Sequence, residues 1–441
     1  MTNKILAAAA LTALCLGATA CTSGVQPQTT APDPNASEDK TPVTITISSF
    51  FTDKEKGIID GVLADFHTKH PWITVKHTGG QTSDTQLQSL RSSSAPDVMV
   101  YGDSPAVPPM CNSGQLIKLD DFMNRDSITG DQFVQATRNY TTSKDTTCAL
   151  PMLSDVYALY YNTDILEAAG IEPPKTWDEV TTAAKKLTKK NADGSLKTVG
   201  FLPLLDYAAM NLQTVTPGFN LTWYDESGKA AMASDPNWAT MLQWQKDLIE
   251  YYGADDVKQF RTKLGDEFST ANPFYTGQLP MMIDGEWRTA FIEREKPNLN
   301  YGIVPIPNND PSKYGGGYIA GTVVGIPKAS KHTEAAWQLV KYLGTDDAAM
   351  RKLAQGLKNV PSTRSSLKDP ELRKNPEFAT LMDIAQNPNS ITPAQTLAGT
   401  GPATVLNQRV GQWQYSPETD PSKFLAEASK AVDSTLAQSS R

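Results

Sequence analysis

The stretch VTITISSFFTDKEKGIIDGVLADFHTKHPWITVKHT, residues 43–78, decides the fold. Its opening segment, VTITISSF, alternates between apolar and polar side chains, which is typical of a half-buried β-strand. Ile59, Val62 and Phe66 then fall on one face at helical spacing, and Pro71 ends that helix. A second strand-like segment, WITVKHT, follows directly. The sequence therefore predicts a strand, a helix and a second strand over this stretch.

The same alternation of strands and helices continues along the chain. A helical segment, DTQLQSLRSS, precedes the apolar run APDVMVYG, which we interpret as a strand buried on both faces. Later segments repeat the pattern in the order TWDEVTTAAKKLTKK, VGFLPLL, NWATMLQWQKDLIEYY, NYGIVPIP and HTEAAWQLVKYL. Thr176, with Glu179 three residues later, predicts a capping box at one of these helices. This alternation of strands and helices predicts an α/β fold with a mostly parallel, helix-covered sheet.

Length and charge restrict the architecture and the partners. Residues 43–441 exceed what a single hydrophobic core normally serves, so we expect two lobes or domains. The chain has 40 Lys and Arg against 48 Asp and Glu, a formal net charge of -8, and no basic cluster. Nucleic acid and anionic lipid surfaces are therefore poor candidate partners.

The first residues have the features of a secretory signal. Residues 1–20 contain a cationic start, an apolar core too short to span a bilayer, and small residues before Cys21. This arrangement resembles a bacterial lipoprotein signal, which implies a lipid on Cys21; an ordinary cleaved signal is the alternative. Residues 21–42, rich in Thr, Ser, Pro and Gln, predict a flexible tether. The implied location is extracytoplasmic, with the lipid anchor as the only contact with the cell membrane.

Two cysteines remain in the expected folded body, Cys111 and Cys148. In an oxidising compartment such a pair predicts a disulfide, with two buried free thiols as the alternative. No Cys/His cluster at metal spacing appears, so we expect no metal and no cofactor. The run KYGGGYIAG matches a G-x-G-x-x-A dinucleotide pattern but leads into the extended TVVGI rather than a helix. We interpret its glycines as a permissive crossing between lobes whose bare backbone meets ligand hydroxyls.

Four blocks along the chain resemble one family. They are APDVMVYGDSPAV, YALYYNTDILEAAGIEPPKTWDEV, TGQLPMMIDGEWRTAF, and NYGIVPIP continuing through GGGYIAGTVVGIPKASKHTEAAWQLVKYL. Together they resemble the extracellular solute-binding proteins of family 1, maltose-binding-like carbohydrate-binding lipoproteins of ABC importers. The resemblance implies a periplasmic-binding-protein-like fold of two α/β lobes with a ligand cleft between them. It assigns residues 43–152 and 318–362 to lobe 1, and residues 153–317 and 363–441 to lobe 2.

Candidate ligand-binding residues follow the strands of lobe 1. In open α/β sheets, ligands lie beyond the carboxyl ends of the strands. Ser48 and Phe51 follow the first strand, and Tyr101 and Asp103 follow the third. Hydroxyls, carboxylates and aromatic rings in combination suit carbohydrate. We expect Asp103 to accept hydrogen bonds from ligand hydroxyls, with helix capping as its alternative, and core packing is the alternative for Tyr101.

Further candidates depend on the resemblance. The family commonly places the tryptophan of IDGEWRTAF against a sugar ring, which implies this role for Trp287; a buried structural tryptophan is the alternative. Glu286, beside it, is a candidate for a sugar contact. The remaining candidates, with packing as an equal alternative for the last two, are Asp155, Tyr318, Asn211 and Trp223.

The resemblance implies a monomeric, non-enzymatic protein that captures a sugar or oligosaccharide and delivers it to the transmembrane subunits of an ABC permease. Two alternatives stay open. A receptor for a glycerophosphodiester or another polar solute of negative charge needs a positive cleft, and only Arg288 lies near the blocks. A secreted glycoside-acting enzyme needs paired carboxylates, for which Asp103, Asp155 and Glu286 are candidates.

Overall fold

The computed structural model describes residues 40–439 except Ser93, Lys144, Pro393 and Thr419. The expected signal peptide, residues 1–20, and the expected lipidation site, Cys21, lie outside the described residues, as does the tether up to residue 39. Within the described part, none of the helices combines the length and the apolar character needed to cross a membrane.

Strands and helices alternate along the described chain, and the last strand ends at Pro361. The strands are β1 (Val43–Ser48), β2 (Ile73–Thr78), β3 (Val98–Tyr101), β4 (Thr142–Ser143), β5 (Thr146–Thr147), β6 (Ala149–Asn162), β7 (Lys189–Lys190), β8 (Leu196–Thr198), β9 (Met281–Gly285), β10 (Tyr301–Val304), β11 (Tyr318–Gly325) and β12 (Val360–Pro361). The α-helices are α1 (Asp53–Lys69), α2 (Ser83–Ser89), α3 (Val107–Asn112), α4 (Asp120–Arg125), α5 (Gln135–Asn139), α6 (Thr163–Ala168), α7 (Trp177–Leu187), α8 (Leu212–Phe219), α9 (Pro236–Tyr252), α10 (Ala254–Thr262), α11 (Arg288–Glu295), α12 (Thr333–Thr345), α13 (Asp347–Leu357), α14 (Pro376–Gln386), α15 (Gly401–Trp413) and α16 (Pro421–Ser439).

One mixed sheet organises the fold. Its order is β10-β6-β11-β3-β1-β2, with β9 and β12 also paired to β6. β1 runs parallel to β2 and β3. The pairs made by β6 and β11 are antiparallel. The expectation of a mostly parallel sheet is therefore wrong, because β6 and β11, two long central strands, run in opposite directions and determine the direction of their neighbours.

The long strand β6 contributes side chains to separate hydrophobic clusters. Leu150 and Met152 in its first half belong to a cluster that contains Trp337, built from residues 45–153 and 324–357. Leu159 in its second half belongs to a cluster that contains Trp177, built from residues 159–306 and 406–432. A third cluster takes Val156 and Tyr160 from the same strand. The assignment of the chain to two lobes stays a prediction.

Local sequence signals explain where the helices begin and which face they bury. α1 buries Ile59, Val62 and Phe66, the face that the helical spacing predicts. At α7, the Thr176 hydroxyl accepts a hydrogen bond from the Glu179 N–H, and the Glu179 carboxylate accepts one from the Thr176 N–H. The predicted capping box is confirmed, and it satisfies backbone donors that the first helical turn leaves without partners.

The segment VGFLPLL does not form the strand that its apolar pattern predicts. Phe201 makes an isolated parallel bridge with Met281. Pro203 has no N–H for a strand ladder, and Leu205 N–H donates to the side-chain oxygen of Gln414 rather than to a neighbouring strand. The segment is therefore a buried connection.

Cys111 and Cys148 form a disulfide, as the sequence predicts. The bond joins α3 to the residue that precedes β6. It closes a loop with a sequence separation of 37. The link therefore fastens the segment after β3 to the start of the longest strand.

Candidate ligand-binding site

An aromatic cluster forms where β6, β9 and β11 meet. Tyr157 on β6 stands opposite Gly285 on β9 and Tyr318 on β11. Because of this register, the Tyr157 ring lies 5.4 Å from the Trp287 ring and 5.5 Å from the Tyr318 ring, both in edge-to-face geometry. The predicted site residues Trp287 and Tyr318 are thus brought together by Tyr157. Tyr157 belongs to the tyrosine-rich strand of the second quoted block, which the resemblance places at the cleft.

Gly285 makes room for the Trp287 ring. A Cβ at position 285 would lie 2.3 Å from that ring, so no larger residue fits without displacing it. Trp287 then stands at the N-cap of α11, where its side chain makes no capping hydrogen bond. The ring is partly exposed rather than buried. Trp287 therefore lies just beyond the carboxyl end of β9 and remains partly accessible.

A cluster of two carboxyls, Asp155 and Glu286, and the side-chain amide of Asn359 lies beside these rings; we call it the carboxyl cluster. The Val156 N–H donates to Glu286 Oε2 at 2.7 Å, and Asn359 Nδ2 donates to Asp155 Oδ1 at 3.2 Å and also to Glu286. Burial raises the pKa of Asp155 to about 7. Burial, with the charge of Asp155, raises the pKa of Glu286 well above its usual range. The two carboxyls therefore hold fewer than two negative charges near neutral pH.

Asp103 has a carboxylate without a protein partner in the described part of the chain. It follows β3, and its side chain does not cap the short 3-10 turn Ser104–Ala106. Burial raises its pKa to about 6. Its charge also contributes to raising the pKa values of Tyr101 and Tyr318, which places it near both hydroxyls. Asp103 thus makes no side-chain capping hydrogen bond, so the alternative role as a helix cap is not supported. Its carboxylate oxygens remain available to accept hydrogen bonds from a ligand.

Tyr101 is fully buried in the cluster that also contains Tyr160. Burial raises the pKa of its hydroxyl to about 12. The hydroxyl lies near Ser83 but makes no hydrogen bond of good geometry with the described residues. Its ring is therefore a core side chain, and a contact between its hydroxyl and a ligand stays a prediction.

A cavity of about 280 Å³ opens next to Tyr318. Its walls come from distant parts of the chain, and none of its lining residues is charged; they are Pro105, Gln213, Thr216, Leu221, Trp223, Tyr224, Tyr318, Ile391, Thr392, Ala394, Gly399, Thr400 and Ala403. Trp223 Nε1 donates to Thr216 Oγ1 at 2.9 Å, which fixes the orientation of the indole. Two predicted residues, Trp223 and Tyr318, therefore lie in one uncharged cavity with rings in its wall.

The strap, the described residues 387–392 and 394–400, supplies part of the cavity wall. Backbone hydrogen bonds join it to β11 and its approach: Ile391 N–H donates to Gly317 O at 3.0 Å, and Ile319 N–H donates to Ile391 O at 2.8 Å. A Cβ at position 316 would lie 2.5 Å from the backbone of Asn389. The glycine run thus allows the strap to approach, and at Gly316 the bare backbone meets protein rather than ligand. That run was the available signal for this contact.

Three predicted residues have structural contacts away from the cavity wall. Ser48 Oγ accepts a hydrogen bond of 3.4 Å from Gln86. Phe51 packs against Phe50 with ring centroids 4.2 Å apart. The Asn211 side-chain oxygen accepts hydrogen bonds from two N–H groups at the start of α8. Their part in ligand binding stays a prediction.

Arg288 is not available to a ligand. Only 1% of it is exposed, and its Nε lies 2.6 Å from Asp284 Oδ2. Its Nη1 donates to the Tyr275 hydroxyl and to a backbone carbonyl. The cation that the sequence places near the expected cleft is thus fully engaged in a buried ion pair.

Ser49, His77 and Asp60 have the connectivity of a catalytic triad. Ser49 Oγ lies 2.7 Å from His77 Nε2, and His77 Nδ1 lies 2.6 Å from Asp60 Oδ1. Ser49 is 0% exposed, and the His77 side chain is 3% exposed. A substrate has no access to this serine, so we interpret the three residues as a structural connection between β1, β2 and α1.

Comparison with known proteins identifies the family. The model of the bacterial extracellular solute-binding proteins matches residues 52–350. The chain belongs to this family. It is an extracellular family of binding proteins, which supports an extracytoplasmic location.

Curated relatives of this solute-binding protein carry sugar-binding names. It is 22% identical over 292 residues to a maltotriose-binding protein of Pyrococcus abyssi, covering 65% of this chain and 59% of the relative. It is 25% identical over 330 residues to a multiple sugar-binding protein of Streptococcus mutans, covering 71% of this chain and 73% of the relative. The match to the Pyrococcus protein thus spans less than two thirds of that relative's length.

Solved structures confirm the fold. The solute-binding protein resembles CpMnBP1 with mannotriose bound at a TM-score of 0.76 and 24% identity, covering 88% of this chain and 100% of the other. It resembles the sugar-binding protein MalE of Xanthomonas citri at a TM-score of 0.76 and 18% identity, covering 90% and 98%. The predicted periplasmic-binding-protein-like α/β fold is therefore confirmed.

Proposed function

We propose that this solute-binding protein captures a neutral sugar or oligosaccharide for an ABC importer and delivers it unaltered to the permease. Its family and the sugar-binding names of its relatives support this function. The observation that carries the proposal is the uncharged cavity that contains Trp223, Tyr224 and Tyr318. Rings of this kind stack on the C–H faces of a sugar, while neutral polar groups bond to its hydroxyls.

Asp103 adds the strongest acceptor near the cavity. An ionised carboxylate forms charge-assisted hydrogen bonds, which are roughly twice as strong as neutral ones. Asp103 stands two residues before Pro105, a lining residue, and lacks a partner of its own among the described side chains. A sugar hydroxyl satisfies it without bringing a formal charge into the site.

Capture works by closure of two lobes around the solute. Lobe 1 comprises residues 43–152 and 318–362, and lobe 2 comprises residues 153–317 and 363–441. A solute that contacts both lobes favours the closed form, because only that form provides all of its contacts. A lipid on Cys21 holds the monomer at the cell membrane and raises its local concentration beside the permease.

The two alternative functions lack support in the site. A receptor for an anionic solute needs a free cation, and Arg288 is paired with Asp284. A glycoside-cleaving enzyme needs two accessible carboxyls with room for the sugar between them. Glu286 is 0% exposed and bonds to Val156 N–H and Asn359.

The test is calorimetric titration of the protein with saccharides of one to four units, followed by chromatography of the recovered saccharide. We expect binding of at least one saccharide, which is recovered intact. Trp287→Ala should weaken that binding at least tenfold, about 1.4 kcal/mol. Trp72→Ala, which removes a partly exposed tryptophan before β2, is the matched control. Absence of binding across the panel, or recovery of cleaved saccharide, would contradict the proposal.

A further inference from the structure

The strap lines the cavity between two fixed ends. Near one end, Ile391 pairs with Tyr318 at the start of β11. Near the other, Gly399 has a left-handed φ of 57° and lies against α3 and the turn before it, where a Cβ would stand 3.4 Å from Pro109 Cγ and 3.6 Å from Pro105 O. The positive φ favours glycine at this point. The cavity residues Thr392 and Ala394 lie between these two attachments.

Thr392 provides a hydroxyl that the protein leaves unpaired. Its Oγ1 is buried and has no hydrogen-bond partner among the described residues. Other polar groups of the cavity wall are engaged: Thr216 Oγ1 bonds to Leu212 O and Trp223 Nε1, and Gln213 Oε1 accepts from Asn407. A buried hydroxyl without a partner is unfavourable for folding, so a cavity ligand that bonds to it gains what the free protein lacks.

The strap side of the cavity also has the small side chains. Ala394 and Gly399 lie in the strap, and Ala403 follows in α15. The bulky Trp223 and Tyr224 lie in another segment of the wall. Ala394 is exposed, so a larger side chain at this position has space to extend without displacing the core.

We propose that the strap determines which saccharide the site accepts. Thr392 is a specificity-determining residue that bonds to a ligand hydroxyl, and Ala394 sets the length of saccharide that fits. The inference rests on the proposed saccharide-binding function. It assigns the choice of saccharide to the strap, whose residues in the cavity wall are neither charged nor aromatic.

Thr392→Val separates this role from a structural one. Valine keeps the shape and removes the hydroxyl. The ligand-free protein should therefore keep or raise its melting temperature, while the affinity for the tightest of mannobiose, mannotriose, maltose and maltotriose falls about tenfold. Thr404→Val, an exposed threonine on α15, is the control and should change neither value. Unchanged affinity, or a lowered melting temperature of the ligand-free protein, would overturn the role of Thr392.

Ala394→Phe tests the control of length. The trisaccharide of the preferred series should lose affinity by at least tenfold more than its disaccharide, because a phenyl ring at this lining position leaves less room for a third sugar unit. Ala192→Phe, at an exposed loop position between β7 and β8, is the control. An equal change for both saccharides, or none, overturns the inference while wild-type binding upholds the proposed function. If the wild type binds no saccharide of the panel of one to four units, the proposed function itself fails.

Discussion

Two buried carboxylates stand two residues apart at the end of β9 and have different surroundings. Asp284 lies 2.6 Å from Arg288, which also bonds to Tyr275, so its charge is balanced. Glu286 faces a second carboxyl, Asp155, and the neutral Asn359 bonds to both. The Asp284–Arg288 ion pair therefore contributes to the stability of the fold. Among the described side chains, no cation is hydrogen-bonded to Asp155 or Glu286. These two carboxyls lie beside the aromatic cluster.

The comparison shows that burial alone does not indicate function. Burial raises the pKa of Asp284, and Arg288 opposes that effect. Burial also raises the pKa values of Asp155 and Glu286, and there the neighbouring carboxyl adds to the shift of Glu286. A retained charge imbalance costs stability, so we associate the carboxyl cluster with the ligand site and the Asp284–Arg288 pair with the scaffold.

Arg288→Met should have the largest effect. It leaves Asp284 buried without its cation, so the free energy of unfolding in urea should fall by about 3–5 kcal/mol. The double variant Asp284→Asn with Arg288→Met is the control, because it removes both charges and should recover much of that loss. A loss below about 1 kcal/mol in the single variant would show that the pair is not the stabilising partner in this comparison.

Asp155→Asn should reduce the loss of unfolding free energy that the wild type shows as the pH rises. The Asp155 pKa rises from 3.8 to about 7 on folding, so its contribution to stability is present below about pH 4 and is lost as the pH rises through 7. Asparagine carries no such charge. At pH 8 the variant should therefore gain about 1–2 kcal/mol in unfolding free energy relative to its difference from wild type at pH 4.

Urea unfolding at a series of pH values measures this effect. Asp121→Asn, at an exposed position on α4, is the matched control and should follow the wild-type curve. Parallel curves for wild type and Asp155→Asn would mean that the carboxyl cluster is not a source of charge strain.

Lys190→Met should have the smallest effect. Lys190 and Asp256 are 3.2 Å apart with side chains 52% and 36% exposed, so water screens their attraction. The unfolding free energy should change by less than about 1 kcal/mol. A larger loss in the same urea assay would show that exposed pairs matter here as much as the buried Asp284–Arg288 pair.

Local signals in the sequence predicted the alternation of strands and helices and several local features, while the periplasmic-binding-protein-like fold came from the resemblance to the family. The apolar spacing of α1, the capping box at Thr176 and the Cys111–Cys148 pair each depend on nearby residues or on a small set of options, and each is confirmed. Strand direction was not predictable in this way. It depends on which distant segments pair, and β6 and β11 pair antiparallel.

Part of the candidate site was predictable from the resemblance to the family. It pointed to Trp287 and Tyr318, which contact Tyr157 in the aromatic cluster, and to Trp223, which lines the cavity with Tyr318. Thr392 was missed because an isolated threonine carries no signal until the fold brings the strap beside β11. For the same reason, the sequence did not reveal that Asn211 caps α8.

The most direct test of the account is a crystal structure of the protein with the saccharide that binds it most tightly in calorimetry. The account predicts an intact saccharide in the cavity, with a sugar ring against Trp223 or Tyr318 and a hydroxyl on the Asp103 carboxylate. A saccharide bound elsewhere on the protein, or one cleaved in the site, would contradict it.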